Sequence, residues 1–346
     1  MGAGAPQKVF SSVKAFSARG KLLAKNDFQT LAESRDLDEL VTRMKNTVYV
    51  DVISRLSKPF TAEKIEAVLR SRLADVQYAL TKSGGSAILD IYYLKFLIWN
   101  LKLIFKGKVL GKPYEEIEPK INLHAAELIG QRDIIVKALV AKDIEEAASN
   151  LASSKFGDEI TKAVSLYNEK KNIQVFDTYF DKIFYKKLAT AMKKSGEQDV
   201  TPLVGMDIDF YNLLSVLRGI FWELDDQQMQ DLIVSYTSTI PRDLITRMSA
   251  LEFVSDAFDE LANTRYNNLI PQVDNPIEAI AQFERAFEIE SYKAANRTFT
   301  KMFSVSNIIG ILKLTNYEVR NLAAIAFAVE QKIEPQTTMS KLILAE

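Results

Sequence analysis

Few residues in this 346-residue chain could do chemistry, and their spacing narrows the choice further. His124 is the only histidine. One imidazole cannot build an HExxH zinc site or the paired Glu-x-x-His motifs of a di-iron bundle, and a Ser/His/Asp triad would rest on it alone. Within Asn122-Leu123-His124-Ala125-Ala126 it reads as an ordinary helix residue, partly exposed. The chain has no cysteine, which removes disulfides, thiolate metal sites and thiol nucleophiles together and fits a reducing, cytoplasmic setting. Gly20-Lys21, Gly107-Lys108 and Gly111-Lys112 lack both the loop and the hydroxyl of a phosphate-binding P-loop. That leaves Asp225-Asp226-Gln227-Gln228-Met229, the first half of an Asp-rich magnesium motif of the kind used by all-α enzymes. No convincing second carboxylate cluster accompanies it. Acids also suit the positive end of a helix, so the pair is read as a helix start. No catalytic residue, metal or cofactor is expected.

Composition points away from substrates held by bulk charge. Lys plus Arg number 44 against 45 Asp plus Glu, a net charge of −1, and nucleic-acid binding usually needs a concentrated basic surface. With 47% hydrophobic and 26% charged residues the chain is globular. The most apolar run, Ile91 to Phe105, is broken by Lys95, Asn100 and Lys102 and is too short to span about 30 Å of hydrocarbon. No segment is expected to cross a bilayer. The opening MGAGAPQKVF has no apolar signal core, so secretion is not expected and Asn296-Arg297-Thr298 is an idle glycosylation sequon.

The elements that must position whatever work is done are helices. Ile65, Val68, Leu69, Leu73, Val76 and Leu80 recur at helical spacing, as do Leu213, Val216, Leu217, Ile220 and Leu224, while sustained alternation of strands is absent. Asn275-Pro276-x-Glu278 combines an N-cap, a first-turn proline and a capping-box acid, and Thr61 is the expected cap of the helix that carries Glu66. Breaks fall at Lys82 to Ser86, Gly111-Lys112-Pro113, Ser195-Gly196-Glu197, Thr201-Pro202 and Pro271 to Pro276. None is long enough to let domains tumble independently.

Three segments repeat one another. Ile65-Glu66-x-x-Leu69 leads to Asn100, Phe176-Asp177-x-x-Phe180 to Asn212, and Phe283-Glu284-x-x-Phe287 to Asn321. Each has an Arg-Asp-apolar heading upstream, at Arg35-Asp36, Arg132-Asp133 and Arg242-Asp243, and the first and third run on into Thr42-Arg43-Met44 and Thr246-Arg247-Met248. Three markers in one order imply a triplicated unit of roughly 110 residues. The units are drawn at 1–115, 116–225 and 226–346. Glu66, Asp177 and Glu284, with the three asparagines, are taken as structural signatures. A buried Asn can set register across a helix seam or meet a partner, and the first is preferred. The aromatic helix with Phe176, Tyr179, Phe180, Phe184 and Tyr185 is read as packing surface in preference to a ligand pocket. Lys186, Lys187, Lys193 and Lys194 are read as a solvated face.

Taken in order, these features resemble the C subunit of archaeal-type (A-type) rotary ATPases, the equivalent of the d subunit of the vacuolar ATPase. The run Lys313-Leu-Thr-Asn-Tyr-Glu318-Val-Arg320-Asn321-Leu-Ala-Ala-Ile325 is similar to the family's Glu-x-x-Asn-Leu-x-x-Ile segment. Asp209-Phe-Tyr-Asn212 with Leu217-Arg218 resembles the middle unit's Asp-x-x-Asn and Leu-Arg. Ala18-Arg19 with Leu22-Leu23, then Thr47-Val-Tyr49, resembles the opening pattern, although this chain has Phe10 and Phe16 in a stretch that is usually rich in tyrosine. The resemblance implies an all-α funnel of three similar units in pseudo-threefold arrangement. It implies a non-catalytic rotor adaptor, peripheral on the cytoplasmic face of the membrane, that couples central-stalk subunits to the proteolipid ring during ion transport linked to ATP synthesis or hydrolysis. No nucleic acid or small-molecule substrate is implied. Arg19, Lys102, Arg218, Glu318 and Arg320, polar members of the repeat signatures, are the candidate partner contacts. Two other readings stay open: a free-standing all-α scaffold for protein–protein interaction, and an all-α enzyme using Asp225, Asp226 and magnesium.

Overall fold

The structure, a computed structural model, describes residues 5–154, 156–196 and 198–344. Every regular element among them is helical. Helices α1 (Ala5–Arg19), α2 (Lys25–Ala32), α3 (Leu37–Met44) and α4 (Val50–Ile53) precede the long α5 (Ala62–Gly84) and α6 (Ala87–Val109). Short helices α7 (Tyr114–Ile117), α8 (Leu123–Glu127), α9 (Arg132–Val140) and α10 (Ile144–Leu151) lead to α11 (Gly157–Lys170) and the long α12 (Gln174–Ser195) and α13 (Met206–Phe221). The order recurs in α14 (Asp226–Leu232), α15 (Arg242–Ser249), α16 (Val254–Asp259), the long α17 (Pro276–Arg297) and α18 (Val305–Glu330), and α19 (Pro335–Lys341). Met1 to Gly4 and Glu197, part of the expected signal-free start and of one expected break, lie outside the described residues, as do the last two positions of the third drawn unit.

Local chemistry sets the boundaries. The Thr61 hydroxyl accepts from Lys64 N at 3.2 Å and the Asn275 side chain accepts from Glu278 N at 3.0 Å, starting α5 and α17 with two otherwise orphaned amides satisfied. Gly85, at φ 59°, ends α5 in the left-handed conformation that a side chain would resist. Thr201-Pro202 is no break. A π turn over Thr201–Gly205 leads directly into α13, and a proline in a first turn forfeits no intrahelical hydrogen bond. The resulting stretch Gln198–Phe221 is, among the described residues, long and apolar enough to cross a bilayer, with mean hydropathy 1.2. Of its most apolar 18-residue window, to which that hydropathy refers, 67% is buried inside the protein, as in the central helix of a folded domain.

Three pairings of long helices organise the molecule: α6 packs on α12, α13 on α17, and α18 on α5. One hydrophobic core runs through the first two, with Phe105, Phe176, Phe180, Leu213, Phe283 and Phe287 at its centre. A second core, built from Phe28, Leu40, Ile65, Leu69, Leu322 and Ile325, lies between α18 and the amino-terminal helices.

Candidate functional site

The three recurring asparagines do the same job. Asn100 Nδ2 donates to the carbonyl of Asn122 at 3.0 Å while its Oδ1 accepts from the amide of Asn122 at 2.9 Å. Asn212 grips Val234 in the same way at 3.0 and 2.8 Å, and Asn321 grips Ile343 at 2.7 and 3.1 Å. In every case the gripped residue lies 22 positions downstream. Asn100 and Asn212 are fully buried and Asn321 nearly so. A buried stretch of chain outside a helix must place its N–H and C=O somewhere, and a carboxamide answers both at once. The sequence predicts a bond across a helix seam; the partner found is backbone.

A second recurring device escapes the sequence reading. Thr47 and Tyr49 form a tight turn in which Tyr49 N donates to Thr47 Oγ1 at 3.2 Å, and Thr264 with Tyr266 repeats it at 3.1 Å. Each tyrosine then reaches a buried carboxylate three residues before one of the asparagines. Tyr49 Oη donates to Glu318 Oε1 at 2.6 Å, and Tyr266 Oη donates to Asp209 Oδ2 at 3.4 Å. Glu318 Oε2 also accepts from Leu23 N at 2.6 Å, and Asp209 accepts from Ser238 N and Thr239 N at 2.7 and 2.8 Å. Burial raises the pKa of both acids, opposed by these donors. In the middle of the chain the turn survives as Phe156 N to Ser154 Oγ, 3.2 Å, without a hydroxyl on the aromatic ring, and the position three before Asn100 is Leu97. The hydroxyl and the acid are absent together, as a buried pair must be. The signal is present in the sequence as Asn46-Thr47-x-Tyr49 and Asn263-Thr264-x-Tyr266.

The three Asn-bearing helices meet at a polar centre. Lys313 on α18 donates from Nζ to Asp207 Oδ1 on α13 at 2.5 Å and to Ser291 Oγ on α17 at 3.0 Å, and Tyr92 on α6 donates to Asp207 Oδ2 at 2.6 Å. Burial, then the neighbouring Asp207 charge, pushes the Tyr92 phenol well up. Beside this centre stand Lys95, Asp181 and Tyr185. Lys95 is exposed and the Asp181 side chain is 42% exposed, yet desolvation lowers the Lys95 pKa and raises that of Asp181. Lys95 Nζ lies 4.9 Å over the Tyr92 ring and 5.1 Å over the Phe184 ring, so its ammonium is open to water yet flanked by protein. Tyr185 stacks on Tyr211 with ring centroids 4.2 Å apart. Lys95 and Asp207 both sit five residues before their asparagine, a regularity visible in the sequence.

A model of the ATP synthase (C/AC39) subunit family matches residues 12–341. This chain belongs to that family. It is similar to proteins named as the C subunit of the A-type ATP synthase from Methanocaldococcus jannaschii (25% identical over 341 residues, covering 94% of this chain and 84% of the relative), Thermococcus onnurineus (27%, 94% and 86%) and Haloferax volcanii (24%, 98% and 97%). As a member of the C/AC39 family it is a subunit of a rotary ATPase.

The residues singled out from the sequence of this C/AC39 protein are mostly engaged internally. Lys102 on α6 pairs with Asp181 at 2.5 Å and Lys106 with Asp177 at 2.6 Å, tying α6 to α12. Arg218 on α13 pairs with Glu284 on α17 at 2.7 Å. Glu66 pairs along its own helix with Arg70 at 2.5 Å. Arg320 pairs with Glu288 at 2.5 Å and Arg19 lies 4.7 Å over the Phe299 ring. Glu318 is closed off by Tyr49 and Leu23. His124 sits in α8, 39% exposed, with Nε2 2.6 Å from Asp75 Oδ1. Asp225 caps α14: its carboxylate accepts from Gln228 N at 2.8 Å and Gln228 Oε1 accepts from Asp225 N at 3.1 Å, which spends the acid on helix geometry. Phe176 and Phe180 pack against Phe105 at 5.4 and 6.2 Å as core. Of the lysine run, Lys187 pairs with Glu159 at 2.9 Å, and Lys186, Lys193 and Lys194 are exposed. Chemically, the polar centre is a lysine and an aspartate that neutralise one another among hydroxyls: a fastening.

Proposed function

We propose that this protein is a non-catalytic rotor adaptor, standing between central-stalk subunits and the membrane proteolipid ring, peripheral on the cytoplasmic face. The observation that carries the reading is the triple Asn grip over an identical 22-residue reach, combined with the packing of α18 back onto α5. Three like units, near 1–115, 116–225 and 226–346, would close into a pseudo-threefold funnel in which each Asn helix rests on the next unit's acid helix. A part that transmits torque must deform little, and side-chain grips on loop backbone, two buried carboxylate clamps and a fastened centre oppose deformation. The surface around exposed Lys95 and half-exposed Asp181 is the face offered to the foot of the stalk. Arg218 and Arg320, with side chains 40% and 53% exposed, are the candidates for contact with stalk or ring, since Glu318 is consumed internally.

The test is affinity purification of the tagged chain from gently solubilised membranes. Stalk and proteolipid subunits should co-elute, and Arg218→Glu or Arg320→Glu should weaken that association more than it lowers the melting temperature. A compact chain recovered alone under conditions that keep the rest of the complex together would overturn the adaptor reading. A rod-like scattering profile would favour an open scaffold.

A further inference from the structure

One edge of the molecule carries exposed apolar side chains and an excess of positive charge. On α1, Val9, Phe10 and Val13 share an outward face by their i, i+3 and i+4 spacing and are 44, 56 and 57% exposed. The Ser12 hydroxyl on the same helix accepts from Phe303 N at 3.1 Å, which brings Met302 and Phe303, 61 and 48% exposed, alongside. Phe303 sits at φ 63°, a conformation that a bulky residue avoids unless its surroundings hold it. The bond to Ser12 is one such hold, and the ring stays exposed.

The stretch of chain that carries three of these five side chains is one-sided in charge. Residues 1–26 contain Lys8, Lys14, Arg19, Lys21 and Lys25 and no acid, in a chain whose net charge is −1. Lys14 lies 4.6 Å over the Phe10 ring. Next to Met302 opens a cleft of ≈ 560 Å³ lined by Asp199, Arg265, Arg297, Thr300, Lys301 and Ser306. Its one carboxylate, Asp199, accepts from the Ser304 hydroxyl and keeps its charge, and Arg297 is paired with Glu290, so Arg265 and Lys301 against Asp199 leave the cleft with a small positive excess. Large apolar side chains bracketed by lysines, beside a cationic cleft, match the interface of an anionic bilayer, where rings and aliphatic tips enter the headgroup layer and lysines meet lipid phosphates. A protein surface would be expected to answer so many cations with acids, and apolar anchors in such number would gain less from it.

We propose that this edge, comprising the outer face of α1, the Met302-Phe303 loop and the Arg265–Arg297–Lys301 cleft, binds the surface of an anionic lipid bilayer directly. The inference deepens the peripheral-membrane part of the adaptor reading and rests on it. Such a contact would restrain tilt of the protein on its ring without adding a protein interface.

The test is co-sedimentation of the purified full-length chain with vesicles of phosphatidylcholine, with and without phosphatidylglycerol. Binding should require phosphatidylglycerol and weaken with salt. The double variant Phe10→Glu/Phe303→Glu should lose about tenfold or more in partitioning, and Lys14→Glu/Lys301→Glu about fivefold per charge or more. Both alter exposed positions and should melt like the parent. Lys112→Glu/Lys120→Glu, beyond the opposite end of α6 from Ala87 and so roughly 30 Å from the edge, should change nothing. No binding to phosphatidylglycerol vesicles, or equal losses in that control, would overturn the proposal. So would normal vesicle binding by the Phe10/Phe303 variant together with failure to join the complex, which would make the edge a protein docking face. A parent chain that co-elutes with the complex yet ignores vesicles loses only the lipid contact and leaves the adaptor reading intact.

Discussion

Two of the three long-helix seams are laced by ion pairs; among the described residues the third is not. At α6/α12 and α13/α17 a cation six residues beyond the asparagine, Lys106 or Arg218, meets the recurring acid of the facing helix, Asp177 or Glu284. At α18/α5 the corresponding position is Phe327, 54% exposed, and Glu66 turns to Arg70 on its own helix. That seam is held by other means: the second hydrophobic core, the Glu318 clamp on Tyr49 and Leu23, and Glu330 Oε1 accepting the Ala62 amide at 3.0 Å. The difference follows chain connectivity. The first two seams join residues 71 and 66 apart in sequence, whereas the third joins the start of the chain to its end across 269 residues. Closing the longer loop costs only about 1 kcal/mol more, and burial in the second core supplies far more than that.

The comparison fails if the seams respond alike to mutation. The largest effect should come from Ile325→Ala, a fully buried side chain of the closing seam, which should lose about 2–5 kcal/mol in urea unfolding. Glu318→Ala should cost about 2–4 kcal/mol by orphaning the Tyr49 hydroxyl and the Leu23 amide. Acid sharpens this point. Because burial raises the folded-state pKa of Glu318 above its usual 4.5, the folded form takes up a proton before the unfolded one, so the Glu318 contribution becomes more favourable as pH falls through the raised value and levels off below 4.5. Glu318→Gln should remove that component of the pH profile, and an unchanged profile would show that Glu318 does not titrate differently on folding. By contrast Lys106→Ala or Arg218→Ala should cost less than about 1 kcal/mol, and the loss should shrink further in high salt. The smallest effect is a gain. Phe327→Lys, which copies the other two seams, should add a few tenths of a kcal/mol at low ionic strength, or nothing if Glu66 prefers Arg70.

Much of this is legible in the sequence because it is written in side chains. Caps at Thr61, Asn275 and Asp225 announce helix starts by residue type, and the recurring asparagines stand out because a buried carboxamide tolerates few substitutes. What they hold is not legible, since Asn122, Val234 and Ile343 are gripped through backbone atoms that every residue possesses. The tyrosine clamps are half visible: the Thr-x-Tyr turn recurs as text, but pairing Tyr49 with Glu318, 269 residues away, requires knowing that α18 returns to the amino-terminal helices. Pro202 misleads as a break because a proline announces either the end of one helix or the first turn of the next, and only the π turn that follows decides between them.

The Asn321 carboxamide holds both the amide and the carbonyl of Ile343, and that grip lies beside the seam that shuts the molecule. Shortening the chain to end before this residue would therefore strand a buried carboxamide and unlatch the last turn, whereas a purification tag fused after Glu346 would spare it.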